Sequence, residues 1–243
     1  MKSCTGLALL AAHAYGLALP SGHRDTHIKP AYFLLAGDST TAIQSSGGGE
    51  WVAGFLNDTL RAPAGGANYG HDGATTVESR KDSDEVFVTI QFGHNDQKPA
   101  ANISLAEYAT NLGRFVEDVR TAGGTPILVT PLTRRAFSGD PPRIVENLAD
   151  QRNATIAAAL SLNSTWIDLN KASTDYCNAI GPAASWVYNL DDVANDTTHL
   201  NDWGSVVFGR LVSDLMVENY EDIRFWTKPN ATLTYELQHG IPA

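Results

Sequence analysis

Residues 32–40 read YFLLAGDST: an unbroken apolar run, a glycine, then an acid and two hydroxyls. A short run without polar alternation is the signature of a strand covered on both faces, and such strands belong to parallel sheets. Runs of the same kind recur at residues 86–92, 127–130 and 165–169. Helical periodicity lies between them. In ISLAEYATNLGRFVEDVRTAGG (residues 103–124), Leu105, Tyr108, Leu112, Phe115 and Val119 recur at spacings of three and four and are expected on one face. Ser104 with Glu107 reads as a capping box, and Gly123 and Gly124 as a stop. A second helix is expected from Pro141 and Pro142 through Ile144 and Leu148 to Leu160, and a third through Val207, Leu211 and Leu215. Strands alternating with helices give right-handed βαβ units, and hence an α/β fold: a three-layer α/β/α sandwich around a central parallel sheet.

The chain has 243 residues, enough for one large domain. No repeat or long linker divides it. Its first residues, MKSCTGLALLAAHAYGLALP, join Lys2, an apolar stretch and small residues suited to cleavage, so residues 1–16 are expected to be a secretory signal peptide and 17–243 a single secreted, extracellular domain. Residues 221–243 are weakly patterned and read as a tail beyond the core. Asn-x-Ser/Thr acceptors at Asn57, Asn102, Asn153, Asn163, Asn195 and Asn230 fit the secretory route. With Cys4 in the leader, Cys177 has no partner for a bridge and reads as a buried, inert thiol. Basic residues number 17 against 27 acidic ones, a net charge of −10 that becomes −11 when Lys2 leaves with the leader. That excess argues against nucleic acid and anionic membrane as partners.

In parallel α/β sheets, chemistry collects where strands end. The loops that follow the first three runs carry GDST (37–40), GHND (93–96) and TPLTRRAF (130–137). Ser39 has two readings. It, or Asp38, caps the turn that follows, or it is a nucleophile exposed at the sheet edge beside amides that can hold an oxyanion. A nucleophilic serine needs a base, and the base needs an orienting partner. NDTTHLNDWG (195–204) supplies His199 with Asp196 three residues before it. Asn95 either donates its amide to an oxyanion or closes a turn. Gly73, in YGHDGATT, permits close backbone approach. Metal binding by His94, Asp96, Asp196 and His199 is the competing interpretation, but their spacing matches no known ligand pattern, so neither a metal nor any other cofactor is expected.

GDS, Gly73, GHND and DTTH occur in the order that marks the SGNH, or GDSL-type, hydrolases. Within that superfamily the chain most resembles the rhamnogalacturonan acetylesterases, through LLAGDSTTA, GGGEWVAGFL, FGHND and TPLTRRAF, over residues 31–216. The resemblance implies a flavodoxin-like fold and a serine esterase that removes acetyl groups from a plant cell-wall polysaccharide. It implies Ser39 as nucleophile, His199 as base, Asp196 as orienting acid, and an oxyanion hole from the Ser39 and Gly73 amides and the Asn95 side chain. Fungal relatives carry disulfides that this chain lacks. The expected partner is therefore acetylated polysaccharide, rhamnogalacturonan in pectin first, met by a monomer. Arg134 and Arg135, after the third run, are candidates to pair with galacturonate carboxylates. The alternatives are an esterase for acetylated xylan or a lipid ester, and a secreted carbohydrate-binding protein without turnover.

Overall fold

A computed structural model describes residues 29–43, 50–70, 85–190 and 195–243. The expected signal peptide, His71 and Gly73 lie outside the described residues. Five strands form one parallel sheet: β1 (Ala31–Gly37), β2 (Gly65–Tyr69), β3 (Glu85–Gln91), β4 (Thr125–Val129) and β7 (Thr165–Ile167), in the spatial order β2-β1-β3-β4-β7. A two-stranded antiparallel ribbon, β5 (Phe137–Ser138) with β6 (Arg143–Ile144), stands apart from it.

The apolar runs explain the layering. On β1, Phe33 and Leu35 join one core cluster while Leu34 joins the other, and on β3 Phe87 and Val88 divide in the same way. Both strands therefore bury side chains on both faces, as their largely apolar runs predict. One face is covered by α2 (Leu105–Thr121) and α3 (Ala149–Ser161). The other is covered by α1 (Glu50–Gly54), α4 (Leu169–Trp186), α5 (Asp202–Asn219) and α6 (Ala231–His239). Burying each of the larger apolar side chains contributes about 1.5–3 kcal/mol.

Helix α2 starts as its sequence predicts, with the Ser104 hydroxyl accepting from the Glu107 amide at 3.1 Å. Its buried face is Tyr108, Leu112, Val116 and Val119. Phe115 lies to one side of that face and stacks on Phe92 at 5.3 Å between ring centroids. The second expected helix begins later, at Ala149, because residues 143–144 pair with 137–138 as the ribbon. The C-terminal segment is not a tail beyond the core: Ile223, Leu233 and Leu237 are buried in the main cluster, and the Tyr176 hydroxyl donates to the Ile241 carbonyl.

Helices α1 and α5 touch backbone to backbone. A Cβ on Gly209 would lie 2.5 Å from the Phe55 amide nitrogen, and one on Gly54 would strike the Ser205 carbonyl. This contact fixes Glu50, at the head of α1, against the loop that leads into α5. The order of the strands puts the ends of β1 and β3 side by side at the point where the chain's winding reverses, the place where open α/β sheets bind ligands.

Candidate active site

The turn after β1 separates two tasks that its sequence leaves ambiguous. Asp38 does the capping: its carbonyl accepts from the Thr41 and Ala42 amides, and its Oδ1 accepts from the Thr40 amide at 3.0 Å and the Thr40 hydroxyl at 2.8 Å. Ser39 is left for something else. Its Oγ lies 3.1 Å from His199 Nε2, across 160 residues of chain, and His199 Nδ1 lies 2.7 Å from Asp196 Oδ2. Asp196 Oδ1 accepts from the amides of Thr198 and His199 at 2.7 and 3.0 Å. Burial pushes this carboxyl up, but the bonds from the His199 ring and from both amides outweigh it and hold the group below the ordinary carboxylate range. An ionised Asp196 fixes the proton of a neutral His199 on Nδ1, leaving Nε2 as an acceptor facing the serine hydroxyl.

The loop carrying His199 has little regular structure, so its polar backbone groups need partners from elsewhere. Arg135 supplies three of them. Its Nη2 donates to the carbonyls of Thr198 and His199 at 2.7 and 2.9 Å, and its main-chain amide donates to Thr197. The same side chain reaches the Asn189 side-chain oxygen and the Thr133 carbonyl. Arg135 is only 2% exposed, so it cannot meet a polymer, and the expectation that it pairs with substrate carboxylates is corrected. Glu50, fully buried, accepts from the Leu200 amide at 3.1 Å on the next residue. Burial raises its pKa well above the carboxylate range, with Arg135 and the Leu200 amide opposing.

Arg134 is half-buried and heavily engaged. Nε donates to Thr198 Oγ1 at 3.2 Å, Nη1 to Asn147 Oδ1 at 3.1 Å and Nη2 to the His94 carbonyl at 3.1 Å. With the Gln97 amide turned so that its oxygen faces the arginine, that oxygen accepts from both terminal nitrogens.

After β3, His94 is buried beneath the serine turn, and its Nε2 donates to the Leu132 carbonyl at 2.8 Å. Burial lowers its pKa to about 4; Asp38 opposes that shift, and Arg134 reinforces it. The ring is therefore neutral at pH 7, and its 3.9 Å approach to Asp38 Oδ2 is neither an ion pair nor a hydrogen bond. Asn95 is exposed, and its Oδ1 accepts from Lys98 Nζ at 2.7 Å, so the end of the amide left to meet another oxygen is the NH₂, a donor. Gln91 Oε1 gathers Trp51 Nε1 and Thr41 Oγ1 at 2.8 and 3.2 Å, tying α1 to the serine turn. Among the described residues no three His, Cys, Asp or Glu side chains gather as a metal site. Cys177 is buried, and burial pushes its thiol up to about 11.

Sequence reasoning places Ser39, Asp196 and His199, and the structure brings them together. It misses the support given by Glu50, Gln91 and Arg135. Glu50 has one local signal, its position beside a glycine run before an apolar helix; its left-handed φ of 51° is visible only in the structure.

Similar proteins show the same frame. The structure superposes on the YXIM protein of Bacillus subtilis with a TM-score of 0.63 at 22% identity, covering 79% of this chain but only 57% of that one. It superposes on Axe2, an acetylxylan esterase from Geobacillus stearothermophilus, with a TM-score of 0.55 at 20% identity, covering 78% of this chain and 95% of that one. In sequence, the chain is 27% identical over 208 residues to the rhamnogalacturonan acetylesterase RhgT of Bacillus subtilis (strain 168), covering 76% of this chain and 89% of the relative. The family model for GDSL-like lipases and acylhydrolases matches residues 35–206, from the first strand through the start of α5. The chain belongs to the GDSL-like lipase/acylhydrolase family.

Proposed function

We propose that the protein is a secreted acetylesterase that removes acetyl groups from a plant cell-wall polysaccharide, rhamnogalacturonan in pectin, through an acyl-enzyme on Ser39. The observation that carries this reading is the line Asp196–His199–Ser39, with separations of 2.7 and 3.1 Å. His199 Nε2 takes the hydroxyl proton as Ser39 Oγ attacks the acetyl carbonyl. The resulting oxyanion is held by the Ser39 amide, the Asn95 side chain and the Gly73 amide. The ester bond then breaks, and the sugar oxygen leaves with the proton from His199. Water gives a proton to the same nitrogen as it attacks the acetyl-enzyme; Ser39 recovers a proton from His199, and acetate departs.

The choice of rhamnogalacturonan rests on the likeness to RhgT. Secretion rests on the character of residues 1–16, and it is supported by the exposure of all six acceptor asparagines. Acetylated xylan is the second reading, and one observation favours it. Arg135 is spent inside the protein, which removes one of the two cations expected to face an anionic galacturonate backbone on a chain of net charge −10.

Acetate release from acetylated rhamnogalacturonan, homogalacturonan and xylan, measured for the wild type and Ser39→Ala, tests the proposal. Release from the rhamnogalacturonan that disappears in the variant is the expected result. Release from xylan alone would select the second reading, and no release from any substrate, with no covalent labelling of Ser39 by a serine-directed phosphonate, would end both.

A further inference from the structure

A single guanidinium joins the two loops that must cooperate in an acyl transfer. Thr198, whose hydroxyl accepts from Arg134 Nε, immediately precedes His199. His94, whose carbonyl accepts from Arg134 Nη2, immediately precedes Asn95. The third nitrogen holds Asn147, so the fork is fixed from a third side. The loop after β4 thus reaches both its neighbours at the sheet edge.

We infer that Arg134 is a positioning residue, which sets the separation between the base His199 and the oxyanion donor Asn95 without touching the substrate. The inference rests on the acyl-enzyme reading of Ser39. Three features support it. The bonds are directed: a planar fork with donors in fixed directions can span three acceptors at once, which an ammonium cannot do in the same geometry. The acceptors belong to residues adjacent to the functional groups, so a shift of the brace becomes a shift of the site. Arg135, not Arg134, satisfies the carbonyls of the His199 loop, and Asp196 satisfies two of its amides. Loss of Arg134 therefore leaves that loop folded and frees only its placement relative to Asn95.

A substrate-binding role for the same side chain makes different predictions. A cation that greets galacturonate acts on KM, and only for the acidic polymer. A brace acts on kcat, and acts equally on a small neutral ester, because misplacing a reacting group by about 1 Å costs on the order of 10² in rate.

The experiment compares wild type, Arg134→Gln, Arg134→Lys and Thr198→Val on 4-nitrophenyl acetate, with and without added guanidinium chloride at sub-denaturing concentration. Arg134→Gln is expected to lose about 10²-fold in kcat, with KM within about twofold of wild type. Arg134→Lys should lose nearly as much, since it restores the charge but not the fork. Guanidinium should recover part of the activity of Arg134→Gln, saturably, and have no such effect on wild type. Thr198→Val keeps the cation and deletes one acceptor, and its smaller loss of kcat carries the test if Arg134→Gln does not fold.

An Arg134→Gln kcat within about threefold of an active wild type overturns the inference and leaves the esterase reading intact. Full activity in Arg134→Lys overturns it as well, because charge alone would then suffice. A defect confined to KM on pectic polymer returns Arg134 to the substrate. A wild type that neither hydrolyses the ester nor accepts a phosphonate on Ser39 overturns both.

Discussion

Acidification should destabilise this protein through His94. The imidazole is 2% exposed, donates through Nε2 to the Leu132 carbonyl, and has an ordinary pKa of 6.5 lowered to about 4. Burial is the main cause. Asp38 pulls the value up; Arg134 and Arg135, from the loop packed over the ring, push it down. Between pH 6.5 and about 4 the unfolded chain binds a proton at this position that the folded chain does not, so stability falls as pH falls across that window and is unaffected by this group above it. At 1.36 kcal/mol per pH unit the loss reaches about 3 kcal/mol near pH 4, a large share of the roughly 5–15 kcal/mol that holds a domain together. Urea unfolding followed by tryptophan fluorescence at pH 7.5, 6.5, 5.5 and 4.5, on wild type and His94→Gln, isolates the effect. Glutamine can still donate to Leu132 but does not titrate. The stability of wild type relative to the variant should drop by nearly 1.4 kcal/mol per unit below pH 6.5. A difference that stays constant down to pH 4.5, or an imidazole resonance of His94 with a midpoint near 6.5, would refute the reasoning. A difference that grows in favour of wild type would mean that the attraction of Asp38 prevails over burial.

Asn95→Ala should lose about 10²–10³ in kcat on acetyl esters with an unchanged melting temperature, as expected for deleting one oxyanion donor; steady-state kinetics with near-normal turnover would remove Asn95 from the site. Asp196→Asn keeps the shape of the carboxylate but loses its charge, and the resulting wrong tautomer of His199 should lower kcat by about 10⁴. The check is burst kinetics, in which acylation must slow. Gly209→Ala forces a methyl to within 2.5 Å of the Phe55 amide nitrogen, so α1 must part from α5. A loss of about 1–3 kcal/mol is expected in thermal or urea unfolding, with a fall in activity as Glu50 moves off the Leu200 amide.

The strands were legible because a strand buried on both faces advertises itself by a short, mainly apolar run, as β1, β3 and β4 do. Strand β2, GGANY, does not: its residues are only half-buried, and what places it is its pairing along β1, a long-range fact with no local signal. Ile144 illustrates the other kind of miss. Its spacing to Leu148 suits a helix, but residues 143–144 find ladder partners in Phe137 and Ser138, and tertiary pairing overrides periodicity. Leu233 and Leu237, in a weakly patterned end, are buried in the main core cluster, a tertiary contact that the local pattern does not announce. In the site, the residues whose chemistry is distinctive could be read from type and order. Arg135 could not, since a guanidinium that meets a polymer and one that meets main-chain carbonyls look identical in sequence.

The two arginines show how a loop with so little regular structure can hold His199 in place. In a helix or strand each carbonyl finds its partner in the ladder; the segment around Thr198 and His199 has only fragments of one, through the bridge between Asn189 and Leu200. Carbonyls left unpaired and half-buried would favour rearrangement of the loop, at a cost of about 1–3 kcal/mol for each group left without a partner. Arginine answers this better than any other side chain because it offers five donors and no acceptor, and it stays charged when buried. Arg135 therefore supplies to the His199 loop what a sheet would otherwise supply, and the adjacent Arg134 carries the same support across to the loop of Asn95. The segment around His199 is tied down by side-chain hydrogen bonds more than by secondary structure. An enzyme built this way should tolerate changes on the outer faces of its helices and fail on a single substitution two residues beyond Leu132.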